Sequence, residues 1–263
     1  MQYTGHRHTD ANDAQRLLVL ALKACLLIAC SPLTAAPLWH SESLSLLYGD
    51  GYRVAPSEQS TLTLEHASGW AWGDLFGFLD TSYYPDSSEE IGLYGELTPR
   101  LSLSALTGQR WSAGLVTDVL VAATVEAGRG DVETLLIGPG FSLDVPGFEF
   151  VNINVQYRMP YQGRDGALWQ WSPSWSLRRS IGQTEWVFDG YIDWVPTTAG
   201  DYSDNVHVNP QLKFDLGHLI GAQKGALYVG IEYDYWANKF GIRDTAEFRS
   251  DQNTISIMVQ YKQ

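Results

Sequence analysis

The chain has 263 residues, of which 44% are hydrophobic and 13% aromatic, and it carries a formal net charge of −13 at pH 7. So acidic a chain is a poor partner for nucleic acid, whose phosphate backbone is bound by Lys and Arg. No stretch approaches the ~20 consecutive apolar residues of a membrane-spanning helix, and two cysteines are too few for a disulfide framework.

The N-terminal segment has the layout of a secretory signal peptide. Basic residues precede the apolar run "ACLLIACSPLTAA", which ends in small residues, so we expect residues 1–36 to be a leader that is cleaved near Ala35 or Ala36. Both cysteines leave with it, and residues 37–263 form the mature chain. Two alternatives stay open: an amphipathic helix over residues 17–30 of a cytosolic protein, and a lipoprotein box "LIAC" with an acylated Cys30.

Residues 37–263 alternate between apolar and polar side chains, with turn residues between the alternating segments. This period of two predicts β-strands, an even number of them, in one all-β domain without a linker. The predicted strands cover residues 38–48, 60–67, 70–80, 91–106, 112–126, 133–143, 148–158, 167–179, 184–195, 206–217, 226–236 and 253–262.

The third predicted strand contains "WGDLFGFLD", in which Phe76 and Phe78 share a face with Asp74 and Asp80. If the carboxylates point into water, so do the aromatic rings. Flat aromatic rings bind nucleobases by stacking, without reading base edges, and neighbouring carboxylates can accept hydrogen bonds from a ribose or a base. Two alternatives stay open: the rings pack together and plug the interior, or a bulge at Gly77 reverses the face.

The later strands separate an apolar face from a polar face more cleanly. "LYVGIEYDYW", residues 227–236, sets aliphatic residues and tyrosines against Glu232 and Asp234. In a soluble sandwich the apolar face would cover a core. In a membrane barrel the apolar face would contact lipid, and the carboxylates would line a water-filled interior.

Two features favour the membrane barrel. The predicted connections alternate between short ones such as "VPG", "IGQ" and "TGQR" and long ones such as "PTTAGDYSDN", as they do in outer-membrane barrels. The ten tryptophans and 14 tyrosines suit the aromatic girdles of a membrane interface. We therefore predict a transmembrane antiparallel up-and-down β-barrel of about 12 strands in a bacterial outer membrane, closed so that no strand edge is exposed.

On this barrel the polar faces place more acidic than basic side chains in the interior. A narrow pore lined in this way repels anions and admits cations or neutral solutes, so nucleotides and sugar phosphates would be poor cargo. The predicted interior acids are Asp74, Asp80, Glu96, Asp118, Asp189, Asp193, Asp215, Glu232 and Asp234, and the predicted bases are Arg100, Arg158, Arg178 and Lys213.

Three segments carry a family resemblance: "LWHSES" from residue 38, "WGDLFGFLD" from residue 72 and "GLYGELTPRLSL" from residue 92. They resemble the Tsx-type nucleoside-specific outer-membrane channels. The resemblance implies a monomeric twelve-stranded barrel with a narrow channel that passes nucleosides by diffusion. The channel lining that it implies comprises Asp74, Phe76, Phe78, Asp80, Glu96 and Arg100, and Tyr94 shares this polar face with the acids.

Two further classes of protein are weighed against the channel. An outer-membrane lipase or deacylase would need a Ser–His–acid set, but in "WHSES" His40 points to the opposite face from Ser41 and Ser43, so no local set forms. The second alternative class is a structural or adhesion barrel whose interior is plugged. We expect no enzyme activity, metal or cofactor, and as partners the outer-membrane bilayer with its lipopolysaccharide and nucleosides or similar small solutes.

Overall fold

The computed structural model describes residues 36–85, 87, 91–129, 132–162 and 168–263, and the predicted leader lies outside them apart from Ala36. The strands are β1 (Trp39–Gly49), β2 (Gln59–Trp70), β3 (Gly73–Tyr83), β4 (Ile91–Ser102), β5 (Val116–Gly128), β6 (Val132–Leu143), β7 (Phe150–Gln162), β8 (Leu168–Ile181), β9 (Thr184–Val195), β10 (Asn205–Asp215), β11 (Leu227–Ala237) and β12 (Gln252–Lys262). Short helices α1 (Leu103–Thr107) and α2 (Leu216–Leu219) follow β4 and β10. No helix in this described part of the chain is long and apolar enough to cross a membrane.

The twelve strands form one closed antiparallel barrel in which each strand pairs with its neighbours in sequence. β12 returns to β1, with the register running from Ser43 opposite Lys262 to Gly49 opposite Ser256. Closure pairs both edges of the sheet, so no ladder of backbone donors and acceptors is left open to lipid. The predicted up-and-down barrel of about 12 strands is confirmed.

The barrel buries its polar face and exposes its apolar face. On β12, Ser256 is 0% exposed while its neighbour Ile257 is 64% exposed. The same alternation runs along β1, where Ser43 and Ser45 are buried and Leu44 is exposed. A soluble protein shows the reverse, whereas a membrane barrel needs apolar side chains toward lipid and polar ones inside. The apolar face of each strand is therefore the lipid face.

β1 begins and β12 ends at the same end of the barrel, which we call the terminal end; the other end is the opposite mouth. The predicted turn "TGQR" at the terminal end is in fact a longer connection, because β4 stops at Ser102 and β5 starts only at Val116. The Ser102 hydroxyl accepts a hydrogen bond from the backbone N–H of Ala105 (3.0 Å), and Gly108 ends α1 at φ 67°. Helix capping thus ends β4 at a point where the alternating sequence pattern predicted that the strand would continue.

A second helix shortens β10 in the same way. The Asp215 carboxylate accepts hydrogen bonds from the backbone N–H of His218 (3.2 Å) and of Gly225 (2.8 Å), which fixes the connection to β11. The strand therefore ends two residues before the predicted boundary at residue 217. Asp215, predicted as an interior acid, is fully buried and serves as this cap.

Candidate functional site

A row of aromatic rings lies on the interior wall formed by β3 and β4. Phe78 is in register with Glu65 on β2 and Glu96 on β4, which places its side chain on the buried polar face. Its ring centroid is 6.2 Å from that of Phe76 and 5.9 Å from that of Tyr94. The register of β3 with β2 and β4 is continuous through Gly77, so the strand does not reverse its face there.

Phe76 is exposed although it faces the interior. It is in register with Thr98, which is buried on the polar face of β4, yet 41% of Phe76 is accessible to solvent. The neighbouring side chains therefore leave much of the Phe76 ring uncovered. An apolar ring held in contact with water is a surface on which a flat solute can stack.

Carboxylates flank the aromatic row and keep fixed positions. The Tyr94 hydroxyl donates to Glu96 (2.6 Å), and the Thr63 hydroxyl donates to Asp80 (2.6 Å). Asp80 is also in register with Tyr94, so both acids border the same rings. Each carboxylate has four lone-pair sites, and one neutral donor leaves capacity for a solute hydroxyl or amine.

The predicted lining residues Asp74 and Arg100 form an ion pair with each other. The Arg100 guanidinium donates through Nε (2.7 Å) and Nη2 (2.6 Å) to the two Asp74 oxygens, and Arg100 is buried. Such a bidentate pair is geometrically strict and largely neutralises its own charge. Both side chains face the interior as predicted, and their mutual contact fixes the wall beneath Phe76 rather than leaving a free charge.

The remaining interior bases are paired in the same manner. Arg158 donates to both oxygens of Glu126 (2.9 Å each), Lys213 lies 2.9 Å from Asp189, and Arg178 contacts Glu149 and Glu185. Several interior acids, in contrast, have only neutral hydrogen-bond donors and no ion-pair partner among the described residues: Glu65, Asp80, Glu96, Asp193 and Glu232. The interior therefore holds more carboxyl groups than basic groups that could pair with them.

Apolar and aromatic side chains also fill part of the interior. Leu47, Val187, Tyr228 and Met258 all point inward from β1, β9, β11 and β12 and are at most 5% exposed. Arg178 donates from β8 to the Tyr228 hydroxyl on β11 (2.8 Å) and so ties these walls together near the terminal end.

A second cluster of rings lies near the opposite mouth. His207 stacks on Trp236, with centroids 3.9 Å apart, and lies 3.0 Å from an Asp234 oxygen. Lys239, in the connection after β11, is buried beside Trp236; burial lowers its pKa from 10.5 to about 8, against the opposing field of Asp234. Burial likewise raises the pKa of nearby Tyr52 above its usual 10.

Sequence reasoning gave no role to several of these interior residues. Glu65 and Glu126 lie at alternate positions of their strands, so the period of two that identified the other acids also identifies them. Lys239 lies in a connection without a periodic pattern, and only the folded chain places its ammonium group inside the mouth.

Among the described residues, a Ser–His–acid set comes together on the outer face of β1 and β2. Ser68 Oγ is 2.9 Å from His66 Nε2, and His66 Nδ1 is 3.1 Å from Glu42 Oε1. Ser68 is 0% exposed, however, and its hydroxyl also accepts the indole N–H of Trp70 (2.9 Å). A nucleophile must be reachable by its substrate, so this closed set does not constitute an active site.

The family profile described as nucleoside-specific channel-forming protein, Tsx, matches residues 39–263, which include all twelve strands. The chain belongs to this family. It is a channel of the bacterial outer membrane, a conclusion that agrees with its lipid-facing apolar side chains and polar interior. The predicted family and location are confirmed.

One curated relative and two solved structures are similar to this chain. The Tsx-type chain is 26% identical over 197 residues to the outer membrane protein OmpK of Vibrio parahaemolyticus, an alignment that covers 72% of this chain and 73% of OmpK. Among solved structures, the NanC porin superimposes with a TM-score of 0.50 at 14% identity, covering 83% of this chain and 98% of NanC. The KdgM porin gives 0.47 at 11% identity, with 84% and 98% covered. NanC supports the porin-type barrel.

Proposed function

We propose that this channel passes nucleosides by diffusion, with the base stacked on the row Phe76–Phe78–Tyr94. The observation that carries the proposal is the position of Phe76, whose ring faces the interior and is 41% exposed there. Stacking tolerates any base, because every base has a π-face, and contributes roughly 1–3 kcal/mol per ring. Such weak, sequence-tolerant contacts suit a solute that must leave again.

The carboxylates beside the row give the site its polar contacts. Asp80 and Glu96 are oriented by the Thr63 and Tyr94 hydroxyls and border the rings on which the base would lie. Their free lone pairs match the hydroxyl groups of a ribose and the amino groups of a base. A solute that is aromatic at one end and rich in hydroxyl groups at the other fits both features, which is the chemistry of a nucleoside.

The charge of the interior selects against phosphorylated relatives of the same solute. Interior acids without an ion-pair partner outnumber unpaired bases among the described residues, because Arg100, Arg158, Arg178 and Lys213 are each bound to a carboxylate. Negative potential in a narrow channel repels anions and is screened little by salt. Nucleosides and small cations should therefore pass more readily than nucleotides.

Uptake into proteoliposomes tests this proposal. Vesicles that contain the purified channel should take up labelled thymidine much faster than labelled thymidine monophosphate, which differs by one phosphate. Protein-free vesicles provide the background rate. Equal uptake of both solutes would contradict the electrostatic argument, and no uptake of either above background would contradict the nucleoside channel itself.

We further propose the surroundings in which the channel works. It acts as a monomer, because twelve strands of one chain already close the barrel, with lipopolysaccharide against its outer lipid face and without catalysing any reaction of its cargo. Residues 1–36 are removed as a signal peptide on the way to the membrane. N-terminal sequencing of the mature protein and its mass in detergent, measured by light scattering, check the cleavage and the monomer.

A further inference from the structure

Three aromatic rings surround the ammonium group of Lys239 at the opposite mouth. The Nζ atom lies 5.6 Å from the ring centroid of Tyr52, 5.9 Å from that of Trp236 and 5.1 Å from that of Phe240. It donates a hydrogen bond to Gln252 Oε1 (2.6 Å), and Lys239 is only 5% exposed. All three distances fall within the range of about 6 Å over which a ring face attracts a cation.

The rings are fixed independently of the lysine. The Tyr52 hydroxyl is 2.6 Å from Ser256 Oγ, Trp236 is stacked on His207, and the Phe240 ring packs edge-on against Trp236 with centroids 5.2 Å apart. These contacts do not involve the Lys239 ammonium group. The arrangement is therefore a preformed aromatic cage, which we define as Tyr52, Trp236 and Phe240.

The backbone is strained to direct Lys239 into this cage. The residues on either side of it, Asn238 and Phe240, have φ values of 51° and 57°, in the left-handed region that side-chain-bearing residues rarely adopt. Strain of this kind persists only where the surrounding structure stabilises it. The Asp234 carboxylate interacts electrostatically with the ammonium group and favours its charged form in this position.

We propose that the aromatic cage is a binding site for organic cations, primary or quaternary ammonium groups, which Lys239 occupies as a tethered ligand. The interior carboxylates without ion-pair partners draw cations toward the mouth. An empty cage would hold an ammonium-bearing solute there and obstruct the channel. By filling the cage itself, Lys239 keeps such solutes moving. This role does not depend on which neutral solute the channel carries.

The experiment compares choline with 3,3-dimethylbutanol, its uncharged isostere, as blockers of single-channel conductance in planar bilayers. Lys239→Ala empties the cage, whereas Lys239→Met removes the charge and keeps the cage filled. We expect choline to block Lys239→Ala at a concentration about tenfold lower than the wild type, and 3,3-dimethylbutanol to block neither. Lys239→Met should resemble the wild type, and Lys239→Ala with Trp236→Leu should lose the block.

Two results would overturn the proposal. Equal choline block of the wild type and Lys239→Ala would overturn it. So would equal block of Lys239→Ala and Lys239→Met, because the effect would then follow from lost charge rather than from a vacated cage. If Lys239→Ala fails to fold, as judged by its migration with and without boiling, Lys239→Ser provides the same vacancy with a polar side chain, and the same comparison applies.

Discussion

Replacing Phe78 by alanine tests the aromatic row most sharply. Phe78 is the central ring of the row, with Phe76 6.2 Å and Tyr94 5.9 Å away, centroid to centroid. The neighbouring rings cover part of it, so a solute stacks on its remaining surface. Loss of one stacking partner costs roughly 1–3 kcal/mol, and 1.4 kcal/mol corresponds to about a tenfold change in affinity. We expect Phe78→Ala to raise the half-blocking concentration of adenosine about tenfold.

The assay is the titration of adenosine and thymidine against the conductance of wild-type and variant channels. Phe188→Ala is the matched control, because Phe188 is also a strand phenylalanine but lies on the lipid face, where it is 39% exposed and packs against Trp175. It should leave nucleoside block unchanged. An unchanged block in Phe78→Ala, or an equal loss in both variants, would refute the stacking argument.

Further predictions follow from the charges and from closure of the barrel. Reversal potentials in a salt gradient should show cation over anion preference; anion preference would mean that the interior charge is misassigned. Because the pKa of Lys239 is lowered to about 8, raising the pH from 7 to 9 removes most of its positive charge and should increase cation preference more in the wild type than in Lys239→Met, since the interior carboxyl groups ionise further in both channels. Because the folded pKa lies below the unfolded value, the stability of the folded barrel should also rise with pH between about 8 and 10.5. Arg158→Met leaves the buried Glu126 carboxylate without its ion-pair partner and should lower the free energy of unfolding by about 3–5 kcal/mol in urea titrations. The double variant with Glu126→Gln should regain part of this stability. Unboiled protein should migrate differently from boiled protein in a gel, since a closed barrel resists detergent, and identical migration would argue against closure.

The period of two in the sequence was sufficient to predict the barrel and the two faces of its strands. Glu232 and Asp234 face the interior, and Leu44 and Ile257 face lipid, because side-chain direction in a strand depends only on parity. The same rule placed Phe76 and Phe78 correctly on the interior side. Strand ends were less predictable: Ser102 and Asp215 cap helices that end β4 and β10 early.

Pairing between side chains could not be predicted from periodicity. The contact of Arg100 with Asp74 depends on the register of β3 with β4, which places them directly opposite each other. The sequence shows both residues on polar faces but not that they neutralise each other. The position of Lys239 could not be predicted from the sequence either. It depends on two left-handed residues in an irregular connection, which place the side chain inside the aromatic cage.

The most direct test of the nucleoside channel is the single-channel conductance of the purified protein in a planar bilayer, with adenosine and adenosine monophosphate titrated separately. The rings beside Asp80 and Glu96 and the net negative interior predict that adenosine reduces the current in a saturable manner, and that adenosine monophosphate does so only weakly. Open channels whose current is unaffected by adenosine, or blocked equally by both solutes, would contradict the account.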